Sequence, residues 1–530
     1  MESFQKEAMV LRRFNVTGTC VKNKHYMADT TTKINQIIDL IENDYYFTIN
    51  RPRQYGKTTT LDLLRRQLGS SYTILNLSFE KVGNATFSSE ERFIQMLYRS
   101  IKQELRYLKE ENLLIKLESL KEIDTFEEFD YFLTDFITDN PKEIILLIDE
   151  CDKASNNDVF LDFLGVLRYK YLRRTEDRDV TFKSVVLAGV HDVKNLKFKM
   201  RGEDERYNSP WNIATDFRIE MSFNKSEIES LLLDYLTEHI EIKMDVPAIA
   251  SKIHYFTNGY PFFVSYLCKM IDEEFESLDK WNTKNLEKAV NQMLVRKITN
   301  LDDLVKNLGN NEDLERLVHA ILVNGVEFEY SISGPVMEKG FVYGVFKESS
   351  GNKLAIYNPI YEMKIYKYLT DKIKTENPNL SNFPLPPTYI LPDGSLDITL
   401  ALKNYSKYLA QLRDDKTDKF VENNARLLFS IFMKPIINGV GFMYKEVVIS
   451  DRKRLDVLIT YNQFKYVIEL KIWNGEAYYK QAQEQLVGYL NDEGLDDGYM
   501  IVHDFRKGEH KRSMQERISV EGKELAVYFV

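Results

Sequence analysis

A short polar stretch between two apolar segments limits the folds open to this chain. It reads Arg-Pro-Arg-Gln-Tyr-Gly-Lys-Thr-Thr over residues 51–59 and follows the apolar segment Tyr45–Ile49. The next segment, Thr59–Leu68, has apolar residues at helical spacing. A strand, a turn ending in Gly-Lys-Thr and a helix that begins there form a cradle of backbone N–H groups for phosphate. The sequence therefore predicts a phosphate-binding P-loop within an α/β fold.

Individual residues of this loop have expected roles. The Lys57 ammonium would reach the β- and γ-phosphates of a nucleotide, and the Thr58 hydroxyl would hold Mg²⁺. Arg51 stands five residues before Gly56, where the usual motif has its first glycine. The residues expected to contact the nucleotide are Arg53, Gln54, Tyr55, Gly56, Lys57, Thr58 and Thr59.

A later acidic pair supplies the partner that such a loop requires. The aliphatic run Ile144–Ile148 is followed directly by Asp149 and Glu150. At the end of a buried strand, Asp149 would hold Mg²⁺ with its water shell, and Glu150 would polarise the attacking water. His191, which follows a later predicted strand, is expected to sense the γ-phosphate. These residues predict a protein that binds ATP with Mg²⁺ and hydrolyses it.

The N-terminal half alternates between strand and helix patterns. Residues 1–225 are therefore predicted to form an α/β ATPase core, and residues 226–299 a helical lid. The predicted strands of the core are Tyr45–Asn50, Tyr72–Phe79, Ile144–Ile148, Ser184–Ala188 and Arg218–Met221.

Three further parts are predicted after the lid. Residues 300–375 resemble a winged-helix domain, with Gly340–Phe346 and Lys353–Tyr357 as the two strands of its wing. A proline-rich linker occupies residues 376–397, and residues 398–530 form a separate domain.

The C-terminal domain contains a second charged group of residues. Segments 454–460 and 464–472 are strand-like and are separated by a short turn, which predicts a hairpin. Alternation along the second strand places Glu469 and Lys471 on one face, and Asp456 can approach them across the hairpin. This arrangement suits metal-assisted hydrolysis of a phosphodiester. Charged residues on a solvated sheet face are the ordinary alternative.

The proposed chemistry assigns each residue a part. Asp456, Glu469 and the carbonyl of Leu470 would bind Mg²⁺. Lys471 would orient or deprotonate the attacking water. Together these residues resemble the PD-(D/E)XK nuclease signature. The resemblance extends to a following helix with Gln481, Gln485 and Tyr489 on one face, which implies a catalytic part for Gln485, and to an upstream helix that offers Glu422 as a further metal-side carboxylate.

The N-terminal half resembles predicted AAA-ATPase-like proteins, which are related to signal-transduction (STAND-type) ATPases. The resemblance rests on the 51–58 loop with its arginine at position 51, on the Asp149-Glu150 pair, and on segments 185–196 and 208–213. Bacterial members of that family often carry a C-terminal PD-(D/E)XK domain. The Gly259-Tyr-Pro261 segment is similar to the Gly-x-Pro motif of STAND-type ATPases, which implies that Pro261 packs on the nucleotide base. A helix break by glycine and proline is the alternative interpretation of that segment.

The two sites together predict an ATPase that controls a Mg²⁺-dependent nuclease acting on nucleic acid, with DNA as the expected substrate. A role in defence against phage or mobile elements follows by fold-level analogy alone. The alternative is an ATP-switched signalling or scaffold protein whose nuclease-like domain binds without cleaving. The net charge of −10 gives no overall basic footprint for nucleic acid. A homo-oligomer or an ATP-dependent dimer is compatible with either function.

Composition limits the setting. No apolar run approaches the roughly 20 residues that span a bilayer. The three cysteines are scattered without metal-ligand spacing. The sequence therefore predicts a cytoplasmic protein without a membrane segment.

Overall fold

The structure is a computed structural model. It describes residues 12–154, 157–190, 197–199, 206–208, 210–324, 326–331, 334–376, 389–412, 418–437, 441–450, 453–506 and 515–530. Among these, side chains are not described for residues 197–199, 206–208, 410–412, 418–420, 422, 441–442, 444–450 and 453–456.

The chain divides into two compact units. The first comprises Met1–Asn300 with Lys339–Val345, and the second comprises Leu301–Glu338 with Phe346–Val530. This division is coarser than the five predicted parts, so the boundaries of those parts stay predictions.

The first unit is built on a four-stranded parallel sheet with strand order β1-β4-β3-β2. Its strands are β1 Phe47–Asn50, β2 Thr73–Ser78, β3 Ile144–Asp149 and β4 Ser184–Gly189. Every residue of β3 and β4 is buried, as expected for parallel strands covered on both faces. Because β1, β3 and β4 run parallel, the loop after β1 and the acidic end of β3 lie at the same edge of the sheet.

Helices accompany this sheet in the order that the alternating pattern predicts. They are α1 Thr31–Glu42, α2 Lys57–Leu68, α3 Glu90–Leu108, α4 Glu111–Leu117, α5 Phe126–Ile137 and α6 Asp158–Thr175. The short strands β5 Lys197–Lys199 and β6 Arg206–Asn208 pair antiparallel after β4. The buried apolar cluster that these helices form with the sheet includes phenylalanines from α3, α5 and α6. The predicted α/β architecture with a parallel sheet is thus confirmed.

The predicted strand Arg218–Met221 is wrong. Residues 216–222 adopt no strand, and Thr215 makes a single isolated bridge to Phe47. The side chain of Phe217 stacks on Phe47 with ring centroids 5.8 Å apart. The carbonyl of Ile219 accepts a hydrogen bond from the Arg51 guanidinium, 2.7 Å away. The alternating pattern therefore reflects a surface segment held by side-chain contacts and not by a strand ladder.

Four helices follow in the first unit, as the helical pattern of residues 226–299 predicts. They are α7 Lys225–Leu236, α8 Val246–Thr257, α9 Pro261–Glu274 and α10 Thr283–Val295. A capping box begins α7, where the Asn224 side chain accepts from the backbone N–H of Glu227 and the Glu227 carboxylate accepts from that of Asn224.

The next helices are α11 Thr299–Gly309, α12 Glu312–Leu322 and α13 Pro335–Val342, followed by a two-stranded sheet. Residues 299–300 of α11 and 339–342 of α13 belong to the first unit, and the other residues of these helices belong to the second. That sheet pairs β7 Phe346–Ser349 with β8 Lys353–Ile356, antiparallel. The predicted first wing strand, Gly340–Phe346, is therefore misplaced. Residues 340–342 end α13, and Gly344 terminates the helix with a φ of +69°. An apolar run with two glycines is here a helix C-terminus, where glycine supplies the left-handed conformation.

A six-stranded mixed sheet forms the rest of the second unit, with strand order β13-β14-β12-β11-β10-β9. Its strands are β9 Gly441–Ser450, β10 Lys453–Tyr461, β11 Phe464–Ile472, β12 Asp497–His503, β13 Gln515–Val520 and β14 Lys523–Phe529. The helices of this region are α14 Pro359–Glu376, α15 Ile398–Leu412, α16 Asp418–Ile437 and α17 Glu476–Glu493. The predicted hairpin is present, with Tyr461 paired to Phe464. No helix within the described ranges is long and apolar enough to cross a membrane.

Candidate functional site

The loop between β1 and α2 has the backbone geometry of an anion cradle. Gly56 immediately precedes α2 and has a φ of +85°. Glycine adopts this left-handed conformation freely, whereas residues with a side chain adopt it only at a cost in free energy. Gln54 is also left-handed, with a φ of +57°. These two turns direct the chain into the N-terminus of α2, where free backbone N–H groups and the helix dipole favour an anion.

Lys57 is the first residue of α2 and is buried. Its ammonium donates to the carbonyl oxygens of Arg51 at 2.8 Å and Pro52 at 3.0 Å. Burial lowers the pKa of Lys57, and the nearby carboxylates of Asp152 and Glu150 partly offset this shift. A buried ammonium at a helix N-terminus suits a phosphate, because the negative charge of the phosphate would compensate the ammonium for the water contacts that burial removes.

Thr58 and Asp149 meet directly across the sheet edge. The Thr58 hydroxyl donates to Asp149 Oδ2 at 2.6 Å, and the backbone N–H of Glu150 donates to Asp149 Oδ1 at 2.9 Å. Asp149 is buried. A hydroxyl and a carboxylate are hard oxygen donors, and Mg²⁺ commonly takes one or two such protein ligands together with waters and phosphates. The two side chains therefore fit the predicted Mg²⁺.

Around this pair, the described side chains include no group of three or more His, Cys, Asp or Glu arranged to hold a metal. A site of this kind would therefore take its remaining ligands from the nucleotide and from water.

Glu150 combines strain with an altered acidity. Its φ is +57°, which is unusual for a residue with a side chain. Burial, followed by the charge of Asp149, raises the pKa of the Glu150 carboxyl. The neighbouring Asp152 accepts a hydrogen bond from the backbone N–H of Val190 and so ties the end of β3 to the end of β4. A strained, half-buried carboxylate is typical of a functional position.

Arg51, the departure from the usual motif, has a definite place. Its guanidinium donates to its neighbour Asn50 O at 2.9 Å and to Ile219 O at 2.7 Å, and it lies over the Phe217 ring at 5.2 Å. Its backbone N–H donates to Gly189 O at 3.1 Å. Arg51 therefore anchors the start of the loop to the surface segment 216–222 and to the end of β4.

The turn between α8 and α9 lies against the same loop. Gly259 has a φ of +71°, and Pro261 is the first residue of α9. Between them, Tyr260 donates its hydroxyl to the carbonyl oxygen of Arg53 at 2.5 Å and packs edge-on against Tyr55 at 4.7 Å. The hydroxyl of Thr59, the third residue of α2, accepts from the backbone N–H of Cys20 at 3.1 Å.

The second predicted site lies on a central strand of the six-stranded sheet. The Lys471 ammonium forms an ion pair with Glu469 Oε1 at 2.7 Å, and the Glu469 side chain is fully buried. Leu470 between them is buried too. The described register pairs Val457 with Ile468, which makes position 456 of β10 the neighbour of position 469.

Other predicted residues have a less complete description. Gln485 lies on α17 and donates to the hydroxyl of buried Tyr489 at 2.5 Å. The backbone of Asp456 lies in β10 and that of Glu422 in α16, but both side chains lie outside the described part of the chain. His191 lies wholly outside the described residues. The roles of all these residues stay predictions.

Comparison with known proteins places the N-terminal region in a family. The sequence model of the AAA-like domain matches residues 18–362. This chain belongs to the AAA-like domain family. The match includes the 51–59 loop and the acidic pair, so the predicted ATPase-like fold is confirmed for this region.

Solved structures that are similar to this chain share little sequence with it. The Walker-type ATPase of Pyrococcus abyssi has 14% identity and a TM-score of 0.46, over 66% of this chain and 99% of that one. The Aeropyrum pernix ORC1 protein, solved in complex with DNA, has 10% identity and a TM-score of 0.29, over 66% and 94%. The ADP form of the Aeropyrum pernix ORC2 protein has 11% identity and a TM-score of 0.31, over 68% and 96%. No curated protein matches the chain.

Two residues near the loop were not expected from the sequence. The Tyr260 hydroxyl contact with Arg53 joins residues 207 positions apart. Asp152, which links the ends of β3 and β4, carries no motif signal beyond its place after the acidic pair. The Gly-Tyr-Pro segment drew attention to its proline, but nothing local indicates that the tyrosine reaches the loop.

Proposed function

We propose that this protein binds ATP at the 51–59 loop and hydrolyses it. One observation carries the proposal: the Thr58 hydroxyl and the Asp149 carboxylate are 2.6 Å apart at the N-terminus of α2. Two hard oxygen ligands from separate elements meet there beside a buried lysine. This arrangement matches what a Mg²⁺-bound triphosphate requires.

The residues of the loop divide the work of hydrolysis. Backbone N–H groups at the start of α2 bind and orient the phosphates, and the Lys57 ammonium exchanges its carbonyl partners for phosphate oxygens. Thr58 and Asp149 would hold Mg²⁺, which would neutralise charge on the nucleotide phosphates. Glu150 orients the attacking water and accepts its proton. Burial favours the neutral form of Glu150, which makes it a stronger base than an exposed glutamate.

Two substitutions test ATP binding and hydrolysis separately. Lys57→Ala is expected to weaken ATP binding about a hundredfold or more, because a charge-assisted contact with phosphate is lost. Glu150→Gln is expected to retain binding and to reduce phosphate release by at least about a hundredfold, the usual contribution of a general base. Lys81→Ala, at an exposed lysine of the same unit, is the control. Wild-type binding and turnover in both variants would refute the assigned site.

A second function is proposed for the second unit, as a Mg²⁺-dependent nuclease under control of the ATPase. The observation that favours it is the ion pair between Lys471 and fully buried Glu469 on a central strand. Burying a charged pair costs free energy, so a buried pair is retained most readily where the chemistry of a site uses it. With Asp456 at the neighbouring position of β10, the residues required for metal-assisted hydrolysis share one strand pair.

The nuclease proposal includes a substrate and a module. DNA is the proposed substrate, and the region around α11–α14 with its two-stranded sheet is a proposed winged-helix module. An ATP-dependent dimer and a role in defence are compatible with the proposal. The competing function is an ATP-switched scaffold in which the same unit binds nucleic acid or a partner without cleaving.

Cleavage assays distinguish the two. Purified protein with Mg²⁺, with and without ATP, is incubated with plasmid, linear duplex, single-stranded DNA and RNA. Nuclease function predicts cleavage that depends on ATP and is lost in Asp456→Ala and in Lys471→Ala, with ATP turnover unchanged. Lys465→Ala, at a lysine on the same strand that pairs with Glu493, serves as the control. Absence of cleavage with normal ATP turnover would favour the scaffold.

A further inference from the structure

We propose, on the basis of the ATP binding proposed above, that the Tyr260 hydroxyl positions the P-loop and transmits its nucleotide state through Asn300 to α11. The hydroxyl donates to Arg53 O at 2.5 Å and accepts from Asn300 Nδ2 at 3.3 Å. All three residues belong to the first unit. Tyr260 therefore links a loop residue to the second residue of α11 through one buried oxygen atom.

Burial makes this link specific. Tyr260 is only 1% exposed, and its ring packs against Tyr55 at 4.7 Å and Phe263 at 5.1 Å. The neighbouring Gly259 holds the turn in place through Phe223, whose backbone N–H donates to Gly259 O at 2.7 Å. A buried hydroxyl must keep its partners, because an unsatisfied polar group in the interior is costly. The position of Arg53 O and that of the Asn300 amide are therefore linked.

The loop has a reason to move when phosphate binds. Lys57 donates to the carbonyl oxygens of Arg51 and Pro52, the two residues directly before Arg53. A phosphate at the N-terminus of α2 attracts the same ammonium and draws it away from both carbonyls. The peptide units of residues 51–53 are expected to reorient with it. Because Arg53 O is bound by Tyr260, the reorientation is passed to that hydroxyl.

A second contact leads from the loop to the same part of the chain. Pro52 packs on Gly344, where an added Cβ would lie 2.8 Å from Pro52 Cγ. Gly344 belongs to segment 339–345, which is part of the first unit although the residues before and after it in the sequence belong to the second. Asn300 is the last residue of the first unit before the second begins. Loop residue 52 thus contacts Gly344, and loop residue 53 is linked through Tyr260 to Asn300. These two residues lie at two of the three places at which the chain passes between its units.

Hydrogen–deuterium exchange on the full chain tests the link, with ATPγS and Mg²⁺ at concentrations that saturate each variant. In the wild type, nucleotide is expected to alter exchange in peptides from both the 50–60 loop and α11. Tyr260→Phe keeps the ring packing and removes the hydroxyl. It should keep the loop response, lose the α11 response and weaken nucleotide binding about two- to tenfold, the worth of one hydrogen bond.

Asn300→Leu cuts the link on its other side. It should leave nucleotide affinity within about twofold of wild type, because the Tyr260 contact with the loop remains, and should lose the α11 response. This variant decides the question if Tyr260→Phe does not fold. Tyr235→Phe is the matched control: it removes a hydroxyl that donates to Asp272 at 2.7 Å in the same unit. Both nucleotide responses should persist in it.

The outcomes separate the link from ATP binding itself. A wild-type α11 response in the Tyr260 and Asn300 variants would overturn the link and leave ATP binding standing. Loss of the loop response in Tyr260→Phe at saturating nucleotide would also overturn it, since the hydroxyl would then serve binding alone. A wild-type protein whose loop does not respond to ATPγS would overturn both proposals.

Discussion

Substituting Gly259 by alanine is expected to destabilise the first unit severely, for two reasons that can be measured apart. The residue has a φ of +71°, a conformation that costs an L-residue about 1–2 kcal/mol. An added Cβ would also lie 2.8 Å from the backbone C of Phe223 and 2.9 Å from its N, and closer still to its carbonyl oxygen. These are backbone atoms of a segment that Arg51 holds through Ile219, so relief requires moving that segment.

The magnitude follows from these terms. Separating the two backbones breaks the hydrogen bond from Phe223 N to Gly259 O, worth about 1 kcal/mol. Crowding in a packed interior costs about 1–3 kcal/mol more. With the conformational term, the free energy of unfolding should fall by about 3–6 kcal/mol. Stability of a single domain is about 5–15 kcal/mol, so the loss is a large fraction of it.

Gly18→Ala isolates the conformational term. Gly18 lies in the same unit with a φ of +65°, and an added Cβ there would meet nothing within 4 Å. Its expected cost is about 1–2 kcal/mol. Urea unfolding in a Trp473→Phe background reports the first unit through Trp211 and Trp281, both of which are buried. Equal losses in the two alanine variants would refute the close approach of Gly259 to Phe223.

Two further expectations concern the carboxylates. Burial and the charge of Asp149 raise the pKa of Glu150, so its base form should be lost as pH falls through a value above that of an ordinary glutamate. The acidic limb of the kcat profile for ATP should lie correspondingly high, and an Asp149→Asn variant that still binds nucleotide should shift it downward. In the second unit, Lys471→Met leaves the charge of Glu469 buried without its cation and should cost about 3 kcal/mol of stability by urea unfolding. The double variant Lys471→Met with Glu469→Gln should recover most of that stability. Asp456→Ala, by contrast, should abolish cleavage without a loss of stability. A single Lys471→Met variant as stable as the wild type would contradict the burial argument.

The sequence predicted the strand and helix on either side of the 51–59 loop because their signals are local. Strand, turn and helix follow one another within residues 45–68, and backbone conformation there depends on neighbouring residues. Strands β2, β3 and β4 were recognisable for the same reason, since buried parallel strands are nearly continuous apolar runs. The hairpin of β10 and β11 was also found, because its turn joins two strands that are adjacent in sequence.

Both wrong assignments concern sequence patterns that more than one structure satisfies. Residues 218–221 alternate like a strand, but the Ile219 carbonyl is taken by the Arg51 guanidinium, 168 positions away. Residues 340–346 look like an apolar strand, but the left-handed Gly344 ends a helix there. Periodicity alone does not distinguish a strand from a surface segment or a helix end of the same composition.

By itself, the sequence determined which segments form the P-loop and the acidic strand end, and hence membership of the AAA-like domain family. That was possible because phosphate and metal chemistry requires particular residues in consecutive positions. Only the tertiary structure decided what holds the loop: the guanidinium of Arg51 on segment 216–222 and the hydroxyl of Tyr260 on Arg53. Such hydrogen bonds join residues far apart in the chain, and their geometry depends on how helices pack on the sheet, which no local pattern records.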